Sequence, residues 1–229
     1  MWVLQIWGRF MNIIAIKQTS SGQNVHFISD EFSEYTLSEL LFLAENKIFD
    51  NIKVLTTKSG NKTVRIEANS TKKDNFERVA ITCNSGDYLL FDRQSLKLMT
   101  RNGRIKKQWV AFSGNPESLS SDQSRADFGP LPEGEYQVFF SETLDMHNNS
   151  SLWDGIKWVR KSPAWGFIAT PLKQVKGDTF DRGHFYIHGG LFKGTKGCIE
   201  VNGFDNGRFH AFMKLYKRNF KLIVRYSKK

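Results

Sequence analysis

From about residue 79 to the C-terminus the chain is a succession of short apolar–polar alternations cut by glycine and turn residues, the pattern of a mainly β domain. Residues 88–91 and 95–100 flank Asp92, Arg93 and Gln94, and Asn102-Gly103 turns the chain into 108–113. The string GPLPEG at 129–134 halts the chain before an alternating run at 135–140. Residues 158–170 and 185–188 read as further strands, 204–216 as an amphipathic helix, and 220–226 as a closing strand. Strands this short bury an apolar face only by pairing into a sandwich or barrel.

Residues 12–68 follow a different order. A β-branched run at 12–18 turns at Ser20-Ser21-Gly22 into 24–28. Thr36 with Glu39 is a capping-box spacing that opens a helical run through Leu37, Leu40, Leu41, Ala44 and Ile48. Residues 52–57 and 63–68 then flank a turn at Ser59-Gly60-Asn61. The predicted order is ββαββ, an α+β module too small for a deep pocket. It resembles a small bacterial module of unknown function that recurs beside other domains. The polar stretch 69–76 reads as a linker. The expected division is therefore residues 1–75 and 76–229.

Residues 1–10 are apolar but short and interrupted by Gln5 and Arg9, with no basic start and no small-residue cleavage site. They argue against a secretory signal, and Met11 is an alternative start that makes 1–10 an upstream extension. No run approaches the roughly 18 apolar residues that span a bilayer, so no membrane insertion is expected. The net charge of +10 favours an anionic partner or surface. The densest basic clusters, 101–107 and 214–225, carry no nucleic-acid motif, whereas cell wall polymers are also anionic. Two cysteines, Cys83 and Cys198, make no disulfide framework; a single bridge between them is open, but the surroundings of Cys198 argue for a working thiol, and neither has zinc-ligand spacing.

The chemistry concentrates in residues 182–201, RGHFYIHGGLFKGTKGCIEV. A strand-like run ends at His188, two glycines follow, and a loop with Gly194 and Gly197 delivers Cys198. A thiol with a pKa of about 8.5 is mostly protonated at neutral pH, and a neighbouring imidazole can take its proton and form the ion pair. Glycine before the nucleophile permits a tight turn and leaves the amides of Gly197 and Cys198 as oxyanion donors. His184 and His188 share a strand face but lie about 13 Å apart, which argues against a shared metal ion. His188 is the expected base because the Gly-Gly turn after it starts the loop back to Cys198. His147 and His210 lie in contexts with no supporting pattern. No metal and no cofactor is called for.

The strings IHGG and TKGCIEV resemble the L,D-transpeptidase (YkuD-like) family, whose hallmark is IHG followed by Ser/Thr-x-Gly-Cys. AFSG at 111–114 and DFGPLPEGEY at 127–136 also resemble that family's strand and turn segments, so the likeness spans roughly 86–226. The resemblance implies a β-sandwich or barrel catalytic domain acting on peptidoglycan stem peptides. Cys198 carries over as nucleophile, His188 as base, Gly189 as the carbonyl that orients the imidazole, Thr195 as the loop-shaping residue and Gly197 as part of the oxyanion hole.

Two departures narrow the likeness. Lys196 stands where the family usually has His, and the loop from His188 to Cys198 is short. Both are similar to type VI secretion L,D-transpeptidase effectors, made in the cytoplasm and delivered to a target cell's periplasm. That subfamily implies a cognate immunity protein and a secretion-system component as partners. Arg182 is a candidate for holding a stem carboxylate and His184 for lining the cleft, and both also read as solvated surface. Lys196 either lowers the thiol pKa or points to water. The rival readings are a non-catalytic cell wall binding module and a basic nucleic-acid binder.

Overall fold

The computed structural model describes residues 12–21, 23–29, 33–49, 52–66, 80–145, 168–190 and 194–226. Residues 1–10, the linker candidate 69–76, His147, Trp153, Trp158 and Trp165 lie outside the described residues. The chain divides into two compact units, Met1–Cys83 and Asn84–Lys229.

The first unit has a four-stranded sheet in the order β3-β2-β1-β6, from β1 (Ile13–Gln18), β2 (Asn24–Ser29), β3 (Glu34–Thr36) and β6 (Ala80–Ile81). β1 and β2 are antiparallel, and β6 joins β1 in parallel, so this unit runs on to Cys83. The predicted ββαββ order thus gains two short strands, β3 and β6, too brief to leave a periodic signal. Helix α1 (Leu37–Glu45) starts where the capping box predicts. Thr36 N donates to Glu39 Oε2 at 2.8 Å while Glu39 N donates to Thr36 Oγ1 at 3.3 Å. The helix stops at Glu45, before Ile48, because the Asn46 side chain takes the Phe42 carbonyl at 2.7 Å. Leu40 packs with Ile13, Ile16 and Phe27 of the sheet, and with Ile52 and Val64 of the hairpin formed by β4 (Ile52–Thr56) and β5 (Lys62–Ile66).

The second unit is mainly β, and eight of its strands close into a barrel. Around it run β10 (Gly134–Val138), β15 (Phe220–Val224), β7 (Tyr88–Phe91), β8 (Ser95–Met99), β9 (Ile105–Ser113), β14 (Ile199–Val201), β13 (Tyr186–His188) and β12 (Ile168–Gly177). The β10–β12 pairing shuts the ring, and β11 (Leu144–Asp145) hangs on the outer part of β12. Closure leaves the ring without free edges. β12 continues through Pro171 to Gly177, past the predicted end at 170, because its second half pairs with β10. Two neighbouring pairs are parallel, β15 with β7 and β13 with β14.

Helix α2 (Gly203–Tyr216) supplies much of the core. Trp109 of β9 meets Phe209 at 5.3 Å and Phe212 at 5.4 Å between ring centres, and Phe212 meets Phe220 at 5.2 Å. The turn before β10 is tied down from within, since the buried Tyr136 hydroxyl donates to Pro132 O at 2.9 Å and the buried Tyr226 hydroxyl to Leu131 O. Residues 131–136 therefore serve the barrel's packing.

Candidate active site

Two parallel strands in succession pose a geometric problem. The chain leaves β13 at His188 and must return to the other end of the pair before entering β14 at Ile199. The returning end is held by side chains at three consecutive carbonyls. Lys196 O accepts from Arg182 Nη2 at 3.2 Å, Gly197 O from Ser113 Oγ at 3.2 Å, and Cys198 O from Thr195 Oγ1 at 2.7 Å. Thr195 Oγ1 also accepts from the amides of Gly114 at 3.0 Å and Gly197 at 3.3 Å, which uses its full hydrogen-bonding capacity. Ser113 Oγ accepts from Leu131 N at 2.8 Å, and Glu200 accepts from Gly194 N at 3.1 Å.

Two glycines are required by close approach. Gly197 has φ of +109°, and a Cβ there would stand 2.3 Å from Arg182 Nη2. At Gly189 a Cβ would stand 2.2 Å from Asn206 Nδ2, so glycine alone lets the first turn of α2 settle against the strand end.

Cys198 precedes β14 directly, which sets it beside Tyr186 in the parallel register. Its buried thiol donates to the His184 carbonyl at 3.8 Å, and the Tyr186 main-chain N–H faces the sulfur. Burial pushes the Cys198 thiol up to about 11, against the opposing pull of Tyr186 N–H and the Arg182 charge. His188 lies two residues farther along β13, about 6.6 Å by strand rise. Its Nδ1 is 2.6 Å from Gly189 O. A carbonyl only accepts, so Nδ1 carries the proton and Nε2 presents the lone pair. Burial holds the imidazole below its ordinary pKa, opposed by the Gly189 bond. Burial thus disfavours charge on both groups and works against the expected ion pair.

The remaining predicted residues move to new roles. β13 begins only at Tyr186, so His184 does not share a strand with His188. It sits in the left-handed region at φ +57° with an exposed side chain, and only its carbonyl reaches the sulfur. The Lys196 ammonium is 75% exposed and pairs with Asp127 at 3.3 Å, away from the thiol. Arg182 donates to Gln123 O, to Pro130 O at 2.8 Å, to Gly129 O at 2.9 Å and to Lys196 O, a set of carbonyls in place of the substrate carboxylate suggested by its charge. The Gly197 amide, one of two expected oxyanion donors, is already engaged by Thr195.

Sequence reasoning gave no site role to Ser113, Glu200 or His210. The signal for Glu200 was a carboxylate inside the apolar string IEV, and for Ser113 a hydroxyl at the end of an alternating strand. His210 is buried on α2 with neither ring nitrogen hydrogen-bonded among the described residues, and burial pushes it down to about 3, with further lowering from nearby His188. Neither cysteine is in a disulfide. Among the described residues no group of three or more His, Cys, Asp or Glu side chains is arranged to hold a metal ion, and no helix is long and apolar enough to cross a membrane.

No curated protein matches the chain. Residues 12–78 match a family described as a protein of unknown function (DUF3892), and that match takes in none of the site residues.

Proposed function

We propose that the barrel unit is a cysteine-dependent peptidoglycan enzyme of the L,D-transpeptidase type, acting on tetrapeptide stems through a thioester on Cys198. The observation that carries this reading is Cys198, held at a parallel strand junction beside the strand that ends in His188, whose Nε2 is left as a base by the Gly189 bond. The motif residues IHGG and TKGC surround that junction. On the same reading the chain is an antibacterial effector for a neighbouring cell's periplasm, with stem peptides, an immunity protein and a secretion component as partners.

Because burial disfavours charge on thiol and imidazole, proton transfer accompanies attack. The thiol leaves His184 O and gives its proton to His188 Nε2 as sulfur bonds to the carbonyl carbon of the L,D peptide link. The carbonyl π pair moves onto oxygen, then re-forms the double bond and expels the terminal D-residue's nitrogen, which takes the proton from the imidazolium. Water, a free D-amino acid or a neighbouring stem amine then gives a proton to His188, attacks the thioester and releases the thiol. These acceptors correspond to carboxypeptidase, exchange and cross-linking activity.

Incubation of wild type and Cys198→Ala with purified muropeptides, read by mass, tests the proposal. Product from wild type alone is expected, and equal product from both removes Cys198 as nucleophile. The raised thiol pKa favours a second reading, a wall-binding module with an inert cysteine. That reading predicts alkylation of Cys198 no faster than of Cys83 and binding to sacculi without turnover.

A further inference from the structure

Arg182 is half-buried, and its guanidinium is held by main-chain carbonyls from two separate segments, residues 123–130 and Lys196. No carboxylate pairs with it among the described residues. Burial lowers its pKa, and four groups oppose that pull: Tyr136, Tyr226, Asp127 and Cys198. Burial raises both tyrosines far above their ordinary range, so they stay neutral. Asp127 is 73% exposed and paired with Lys196. The fork lies against Lys196 O and against the Gly197 main chain, the residue before the buried Cys198, so the buried group beside this cation whose ionisation it can favour is Cys198.

We propose that Arg182 is a positioning residue for the cysteine chemistry, pinning Lys196-Gly197-Cys198 to the Gly129-Pro130 turn and supplying the positive charge that the sulfur anion needs during attack. This rests on the reading of Cys198 as nucleophile. A guanidinium suits both tasks, because its planar fork reaches several carbonyls at once while its charge persists at any working pH. The fork also explains why Gly197 has no side chain, since Nη2 occupies the space a Cβ would take. The charge that Lys196 offered in the motif is thus delivered from fourteen positions upstream by Arg182, whose bond to the Lys196 carbonyl locks the loop in the same contact.

The test is alkylation of Cys198 by iodoacetamide in the full chain, in a Cys83→Ser background, together with muropeptide kinetics. Arg182→Met is expected to slow alkylation at pH 9 on the order of tenfold, as a one-unit rise in thiol pKa would. Arg182→Lys keeps the charge without the fork. It is expected to alkylate within about threefold of wild type yet lose on the order of tenfold in kcat with KM little changed, the signature of a misplaced nucleophile. Circular dichroism reports folding, and if Arg182→Met does not fold, Arg182→Gln is read in its place. An unchanged alkylation rate in the folded, charge-free variant overturns the electrostatic role. Full kcat in Arg182→Lys overturns the positioning role. Alkylation needs no peptidoglycan, so a slowed Arg182→Met beside a wild type that turns over no muropeptide would sink the substrate reading and leave the role of Arg182 standing.

Discussion

The first unit and the barrel bury different things. In the first unit the core is Ile13, Ile16, Phe27, Leu40, Phe49, Ile52 and Val64, and Ser29 is the buried polar residue among those described. The barrel buries aliphatic and aromatic side chains too, but also Ser113, His188, Glu200 and His210, set on β9, β13, β14 and the helix packed against them. A buried polar group costs stability unless it is bonded. These four lie along the seam where the proposed chemistry would take place, while Asp87, Ser95, Ser118 and Thr170 are buried elsewhere in the unit.

The largest test of that contrast is His188→Ala. On the proposed mechanism its loss should cut muropeptide turnover by roughly 10²–10⁴-fold, and a variant with wild-type turnover would make the buried imidazole merely structural. The same base sets a pH limb. Because burial lowers the His188 pKa, the unprotonated imidazole persists below its ordinary range, so wild-type turnover should hold at pH 6.5 and fall only under more acid conditions.

His210→Phe should have an intermediate effect. Folded His210 stays neutral down to about pH 3, whereas in the unfolded chain it takes a proton near its ordinary 6.5. Its contribution to stability is complete above 6.5 and is lost as the pH falls from 6.5 towards 3. Phenylalanine removes both unbonded nitrogens and this proton uptake, so the acid-unfolding midpoint, followed by circular dichroism, should move to lower pH. A midpoint that stays put would mean that His210 finds a partner outside the described residues.

The smallest effect belongs to the first unit. Thr36→Ala should destabilise that unit by about 1 kcal/mol through loss of the helix cap. Chemical denaturation would measure it, with turnover on muropeptides unchanged. A fall in turnover equal to that of a barrel variant would erase the separation of the two units' roles.

Local chemistry was legible in the chain wherever neighbours in sequence act on each other. The Thr36–Glu39 box, the Asn102-Gly103 turn and the alternation of residues 88–113 depend on contacts a few residues apart, and these signals place the elements, although β9 starts at Ile105 rather than 108 and the helix ends at Glu45 rather than reaching Ile48. The site was legible only as a list of reactive types. His184 looked like a rival imidazole and instead contributes a carbonyl, because the chain is in a left-handed turn there rather than on a strand. Lys196 looked like the charge beside the thiol, but its side chain leaves the loop for Asp127. Arg182 looked like a surface or substrate-facing charge, since nothing near it in sequence announces the carbonyls of residues 123–130.

By itself, then, the sequence determined the mainly β character of residues from 79 onward, the capped helix of the first unit, and a glycine-framed Cys198 within one short segment of His188. These follow from periodicity, turn chemistry and residue type, which are local properties. Only the tertiary structure decided that the strands close into a barrel, that β13 and β14 run parallel, and that Arg182, Ser113 and Thr195 each hold one carbonyl of the loop that ends in Cys198. Strand partners and carbonyl donors come from distant parts of the chain, and burial, which disfavours charge on thiol and imidazole, belongs to the packed molecule alone.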